Sequence, residues 1–209
     1  MKTVWYEKYR GLIVLFIVSL SFILCGIAEG FMTADNVRND CLRLHIPANS
    51  DSSEDQSVKL KVRDEILKTA EALFNNCGSA EEARKIILDN KTLLEETADK
   101  VLKENGFDYS SSLSVEKEFF ETRSYDNVTL PAGEYTACKI TLGEGKGQNW
   151  WCVMFPGICL PAASGDSSDE VYAVFGTRGG DFVTGKSGYK IKFRIVEIVE
   201  ELLQSANKQ

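Results

Sequence analysis

One uncharged segment near the N-terminus constrains this chain more than any other feature. Leu12–Ala28 is a run of 17 residues, mostly Leu, Ile, Val and Phe. Three basic residues precede it: Lys2, Lys8 and Arg10. A basic start, an apolar core and the small residues Gly26 and Ala28 are typical of a secretory signal peptide cut after Ala28. The run also reaches the lower length limit for crossing a bilayer, so an uncleaved anchor stays open.

We therefore divide the chain in two. Residues 1–28 are a signal peptide or N-terminal membrane anchor, and residues 29–209 form a single extracytoplasmic domain. The formal net charge of the chain is −7, and residues 29–209 alone carry 21 basic and 30 acidic side chains. Phosphate backbones and anionic lipid surfaces repel so acidic a domain. We expect no nucleic-acid partner, and membrane contact only through the N-terminal segment.

Export also determines how the six cysteines are interpreted, because thiols outside the cytoplasm tend to form disulfides. Cys152 and Cys159 enclose a short loop that contains Pro156 and Gly157, which predicts a disulfide between them. The pairing of the remaining cysteines stays open. The sequence has no Cys-x-x-Cys spacing and no cluster of Cys and His, so we expect no metal and no small-molecule cofactor.

Two blocks of different periodicity predict the fold class. Residues 52–106 carry apolar side chains at helical spacing, which predicts three helices. Each begins with a capping-box pair: Ser53 with Gln56, Ser79 with Glu82, and Thr92 with Glu95. From Leu113 the period changes to two, which is typical of half-buried strands. The apolar run Trp150–Phe155 is typical of a central strand, and Val171–Phe175 predicts a further short strand.

The C-terminal segment has two interpretations. Four apolar residues recur there at helical spacing and predict a closing helix: Ile191, Ile195, Ile198 and Leu202. Alternation over residues 189–195 also fits a strand. Helices followed by strands favour an α+β fold. We predict an N-terminal block of about three helices packed on a mainly antiparallel sheet, with a C-terminal helix.

His45 is the one histidine of the chain and the first candidate for chemistry. As a base it would activate Cys152 or Ser50, and the alternative function is then an extracytoplasmic thiol peptidase or cell-wall hydrolase that uses Cys152 and His45. The other interpretation makes His45 a hydrogen-bonded strand residue, because apolar and polar side chains alternate over residues 42–46. The sequence has no Gly-x-Ser-x-Gly motif. We favour the second interpretation and expect no catalytic residue.

A glycine-rich stretch, residues 143–147, lacks the spacing of a phosphate-binding loop and predicts a flexible hairpin loop or a display loop. Trp150 and Trp151 follow it and must face opposite sides of a strand. One interpretation leaves a tryptophan exposed for recognition; the other buries both rings under helices. The candidate partner surface is Gly145, Lys146, Asn149, Trp150 and Trp151. Another polar set is expected to be a solvated helix face: Asp55, Gln56, Lys59, Arg63 and Asp64.

Three motifs, in this order along the chain, resemble the stage II sporulation protein R family. The first runs over residues 43–64, the second over residues 125–135 and the third over residues 143–156. Motif residues without an assigned role are His45, Asn49, Ser50, Asp51, Asp55, Gln56, Lys59, Arg63, Asp64, Tyr125, Pro131 and Gly133.

The resemblance implies a function. Members of that family are secreted from the forespore into the space between two membranes. There they trigger a membrane-embedded aspartic protease of the mother cell to process a pro-sigma factor of the sigma-E type. The resemblance therefore implies a secreted intercellular signal that acts by protein–protein contact, with no catalysis of its own.

Overall fold

Six helices and six strands make up the part of the chain that the structure describes. The structure is a computed structural model that describes residues 2–125, 128–157, 167–186 and 189–207. The helices are α1 (Lys2–Asn39), α2 (Ser53–Leu73), α3 (Ala80–Asp89), α4 (Lys91–Glu104), α5 (Ser167–Val183) and α6 (Tyr189–Asn207). The strands are β1 (Leu42–Pro47), β2 (Ser111–Phe120), β3 (Arg123–Tyr125), β4 (Val128–Leu130), β5 (Gly133–Leu142) and β6 (Asn149–Phe155).

The main sheet has four strands in the order β2-β5-β1-β6, and β3 pairs with β4 in a separate ribbon. β1 is parallel to β5, and the pairs β1–β6 and β2–β5 are antiparallel. The predicted α+β fold with a mainly antiparallel sheet is therefore confirmed. Because β1 lies between β5 and β6, residues 143–148 cross the end of β1. They do not close a hairpin, so that prediction is wrong.

The sheet lies between two layers of helices. Leu42, Leu44 and Ile46 of β1 share one core with α2, α3 and α4. The other face packs against α5, α6 and the C-terminal part of α1. Cys152–Phe155 is buried although β6 lies at the edge of the described sheet. The prediction of a central strand is therefore wrong. A continuous apolar run indicates that both faces of a strand are covered, and an edge strand packed between two helical layers meets that condition too.

α1 is one helix that continues through Ala28 without a break. Its apolar part is exposed along residues 12–24, and its most apolar window has a mean hydropathy of 2.7. Among the described helices it alone is long and apolar enough to cross a membrane. Beyond Ala28 the same helix belongs to the domain, because Ala34 and Val37 are buried in the core with α5 and α6.

Several details of the helices differ from the sequence-based expectation. Val171–Phe175 lies in α5 and is not a strand. That helix has a break at Gly176, where φ is +64°, so the segment before the break is too short to show a helical period. The C-terminal helix is confirmed as α6, but Val196 is the buried residue among those of α6 whose burial the structure describes. The predicted apolar stripe faces outward, with exposed side chains at Ile191, Ile198 and Leu202.

The predicted helix starts are correct to within a few residues. Ser79 caps α3 by accepting a hydrogen bond from the Glu82 N–H group, as predicted. α2 is capped by Ser52 and not by Ser53. α4 begins after Asn90, which makes no side-chain capping bond, so the Thr92 cap is wrong. Serines 52 and 53 are adjacent, so the sequence pattern alone does not distinguish which one takes the extended cap conformation.

Candidate functional site

Asp55 is the centre of a buried polar cluster at the start of α2. Its Oδ2 atom accepts hydrogen bonds from Ser50 Oγ at 2.5 Å and Asn49 Nδ2 at 3.0 Å. Its Oδ1 atom accepts one from Tyr109 Oη at 2.6 Å. Burial alone would raise the pKa of this carboxyl. The hydrogen bonds from Ser50, Tyr109, Asn49 and Ser52 outweigh burial and hold the Asp55 pKa below its ordinary value, so the carboxylate stays charged.

Lys59 extends this cluster one turn further along α2. Its Nζ atom donates to Gln56 Oε1 at 2.6 Å and to the Gln148 carbonyl at 2.8 Å. Gln56 Nε2 donates to the Ser50 carbonyl at 2.8 Å. Burial lowers the pKa of Lys59, and the charge of Asp51 opposes that shift.

The prediction of a solvated helix face is therefore wrong for its central residues. Asp55 and Lys59 are only 5% and 4% exposed, whereas Asp64 is exposed. Helical spacing identifies which side chains share a face, but it does not identify the loop that covers that face. We call this set of side chains the clamp: Asn49, Ser50, Asp51, Asp55, Gln56 and Lys59.

The clamp holds residues 143–148, which we call the clamped loop. Asn49 accepts from the Glu144 N–H group through Oδ1 at 3.0 Å and from the Lys146 N–H group through its carbonyl at 3.3 Å. Asp51 Oδ1 accepts from the Gln148 N–H group at 2.7 Å. The Gly147 N–H group donates to the Ala48 carbonyl at 2.8 Å. A loop fixed at these points is anchored, which contradicts the expectation of a flexible one.

Glycine is required where the clamped loop approaches its support. A Cβ atom at position 147 would lie 2.1 Å from the Ser50 carbonyl oxygen, which is far inside any real contact. Gly145 has a φ of +64°, a conformation that side-chain-bearing residues rarely adopt. The charged side chains point the other way: Glu144 and Lys146 are 68% and 76% exposed and pair at 2.7 Å. The loop thus presents charge to solvent on a fixed backbone.

The two tryptophans lie on opposite faces of β6, as predicted. Arg63 packs over the Trp150 ring, with its guanidinium carbon 4.3 Å from the ring centroid. The Trp151 ring stacks on His45 at 3.7 Å between centroids. Both tryptophans are half-buried, and Asn149 beside them is exposed. The outcome lies between the two interpretations, since each ring packs against a covering side chain and stays partly exposed.

His45 and Cys152 are not brought together. In the β1–β6 register, His45 is opposite Trp151 and Leu44 is opposite Cys152. Paired residues share a face and successive residues alternate, so the two side chains point to opposite faces of the sheet. His45 Nδ1 instead contacts Glu118 Oε2 at 2.8 Å. The dyad of the alternative function is therefore not assembled, and the interpretation of His45 as a hydrogen-bonded strand residue is confirmed.

The second motif surrounds Arg43, a fully buried residue that the sequence analysis did not single out. Arg43 Nη2 donates to Tyr125 Oη at 2.8 Å, and Arg43 Nε donates to the Cys152 carbonyl at 2.9 Å. Tyr135 Oη donates to the Pro131 carbonyl at 2.6 Å. The available signal was the position of Arg43 between Leu42 and Leu44 on a strand. A cation buried at such a position needs hydrogen-bond partners, and tyrosines elsewhere in the chain could supply them.

Gly133, the last motif residue, marks the contact between α1 and the sheet. Arg38 Nε would lie 2.3 Å from a Cβ atom at Gly133, and it donates to the Ala132 carbonyl at 3.0 Å. Arg38 Nη2 also pairs with Glu200 at 2.9 Å. The second motif is therefore a structural joint that attaches the N- and C-terminal helices to the start of β5.

The described cysteines range from exposed to fully buried, and Cys25 on the apolar part of α1 is free and exposed. Cys41 and Cys138 are free and fully buried, and burial raises the pKa of each thiol to about 12. Cys77 is free and half-buried. Cys152 is buried, but Cys159 lies outside the described residues, so the disulfide between them stays a prediction.

Fold and site together define a class of protein. It is an α+β domain on a membrane-length N-terminal helix, in which side chains of the first motif hold one loop in place and Arg38 of α1 contacts both the second motif and α6.

Comparisons with known proteins identify the family within that class. A family model described as stage II sporulation protein R matches residues 38–164, more than half of the chain. The stage II sporulation protein R of Bacillus subtilis (strain 168) is 37% identical over 158 residues, which cover 72% of this chain and 70% of that protein. The chain belongs to the stage II sporulation protein R family, which supports a role in sporulation. No solved structure matches it.

Proposed function

We propose that this protein is an intercellular signal in sporulation that acts outside the cytoplasm. In this proposal it is secreted from the forespore, or held by its N-terminal helix, and contacts a membrane-embedded protease of the mother cell. The contact triggers the protease to process a pro-sigma factor of the sigma-E type. The protein itself performs no chemical step.

The clamp is the observation that carries the proposal. Six polar side chains of the first motif and the backbone of the third form one hydrogen-bonded unit. Groups arranged for catalysis converge on a space where a substrate atom fits. Here the donors and acceptors satisfy one another, and what they present is a rigid loop. A pre-ordered loop binds a protein partner well, because little conformational entropy is lost on contact.

The contact surface we propose is the exposed part of the clamped loop and the strand that follows it. Lys146 and Asn149 are exposed, and the two half-buried tryptophans that follow Asn149 lie on opposite faces of β6. Tryptophan flanked by polar groups is typical of the residues that dominate protein interfaces. Lys146 pairs with Glu144 at 2.7 Å and both side chains are exposed, so the loop presents a pair of opposite charges that would favour a partner with the complementary pattern.

The test is co-expression of the full chain with the candidate protease and its pro-sigma substrate, scored by the processed fraction. Lys146→Glu reverses an exposed charge and touches no buried residue. Loss of a dominant interface contact costs about 2 kcal/mol, or roughly thirtyfold in affinity. We therefore expect processing to fall sharply at limiting signal protein.

The matched control is Lys103→Glu, which reverses an exposed charge in the last turn of α4. We expect it to process normally. His45→Ala separates signal from enzyme, with folding checked by circular dichroism. A folded His45→Ala variant that is inactive, beside loop variants that signal normally, would reverse the proposal in favour of catalysis.

A further inference from the structure

The contact between α1 and α6 determines which part of α6 lies level with the end of the apolar segment. Lys192 Cβ would lie 3.2 Å from a Cβ atom at Gly30, and Lys192 Nζ pairs with Glu29 at 2.6 Å. Arg38 pairs with Glu200 further along, so the two helices run parallel in the same register. A helix rises about 1.5 Å per residue. The first turn of α6 is therefore level with residues 27–30, where the apolar segment ends.

The start of α6 differs in charge from the rest of the domain. Residues 182–196 contain four basic and no acidic side chains: Lys186, Lys190, Lys192 and Arg194. Three of these basic side chains form ion pairs: Lys186 with Asp181, Lys192 with Glu29, and Arg194 with Glu197. Lys190 is exposed, and Arg178 adds a positive charge near Glu29. The cluster keeps a net positive charge on a domain that is acidic overall.

The apolar side chains of this turn are also of the kinds found at a membrane surface. Ile191 is 73% exposed, and Tyr189 is half-buried beside it. Tyrosine concentrates at the level of lipid headgroups. Basic helices with exposed apolar side chains lie in that interface, where anionic lipid attracts their cations.

We propose that residues 189–194 rest on anionic lipid headgroups of the membrane that α1 enters, in the chain that retains residues 1–28. The expected repulsion between the domain and anionic lipid is reversed at this one site, because its local charge is opposite to the domain average. The contact would fix the domain upright on its own membrane. It does not depend on which protein the clamped loop meets.

The test is amide hydrogen exchange of the full chain in lipid nanodiscs. One set contains phosphatidylcholine alone, and the other also contains phosphatidylglycerol. We expect residues 189–194 to exchange more slowly in the anionic discs, and added salt to remove the difference. Each basic residue at an anionic surface strengthens association roughly fivefold. The double variant Lys190→Gln with Arg194→Gln should therefore weaken the association, and with it the protection, by up to about twenty-five-fold.

The matched control neutralises Lys100 and Lys103, two exposed residues of α4 in the opposite helical layer, and should leave the protection unchanged. Circular dichroism verifies that both double variants fold. Equal exchange of residues 189–194 in neutral and anionic discs would overturn the proposal, as would equal loss of protection in the α4 control.

Discussion

Replacing Asp55 by asparagine removes one charge from the centre of the clamp and keeps the shape of the side chain. The carboxylate accepts three side-chain hydrogen bonds, from Ser50, Asn49 and Tyr109. A hydrogen bond to a charged group contributes about 1 kcal/mol more than a neutral one. With three such bonds at a site that is 5% exposed, we expect Asp55→Asn to lower the free energy of unfolding by about 2–3 kcal/mol.

The assay is thermal unfolding of the full chain in a mild detergent, monitored by circular dichroism. For a domain of this size each kcal/mol shifts the midpoint by about 2–4 °C, so Asp55→Asn should lower Tm by roughly 5–10 °C. Asp64→Asn is the matched control, because Asp64 lies on the same helix, is exposed and pairs only with its neighbour Arg63 among the described contacts. It should shift Tm by less than about 2 °C.

The pH dependence gives the same prediction an independent check. The folded-state pKa of Asp55 is held below its ordinary value, so its contribution to stability is complete above the unfolded pKa of about 4. That contribution is lost as the pH falls through the lower, folded-state pKa. The Tm difference between wild type and Asp55→Asn should therefore shrink below about pH 4. Equal Tm values at pH 7, or a difference that grows on acidification, would refute the role of this carboxylate.

Two further predictions concern the clamped loop and the strand after it. Gly147→Ala forces a Cβ atom against the Ser50 carbonyl, so trypsin should cut after Lys146 faster than in wild type; Gly78→Ala, whose Cβ meets only an ordinary contact at 3.6 Å, should not change that rate. Thiol labelling of the unfolded, unreduced chain should spare Cys152 and Cys159, because we predict that they are linked. Modification of both would contradict the link, and labelling after reduction shows that both are accessible to the reagent.

Local patterns were sufficient for most of the elements. In the helices of residues 52–106 the apolar side chains recur every three or four residues, a spacing that places them on one face of a helix. In β1, β2 and β5 apolar and polar side chains alternate, which is the period of a strand. α5 was missed because its break at Gly176 divides it into pieces shorter than a clear helical repeat. The outward orientation of the apolar face of α6 was missed for another reason. Periodicity identifies the residues that share a helix face, but tertiary packing determines which face of the helix is buried against the domain.

The candidate site was predicted in its members and not in their arrangement. Motif residues from Asn49 to Lys59 were identified, yet their burial depends on a loop almost 90 positions further along the chain. Contacts between residues so far apart in the chain depend on the order of the strands in the sheet. The position of β1 between β5 and β6 cannot be predicted from the local sequence of any of these strands. The separation of His45 from Cys152 follows from the same register.

β5 connects the contact with α1 at one end of the sheet to the clamped loop at the other. Gly133 at its start lies under Arg38 of α1, and Leu142 at its end leads into the clamped loop. Ten residues of extended chain span about 33 Å. In the two proposals made above, a protein with that reach would act as a coupler: its α1 end would stay at its own bilayer while the clamped loop met a second protein. Neither engagement has to displace the other.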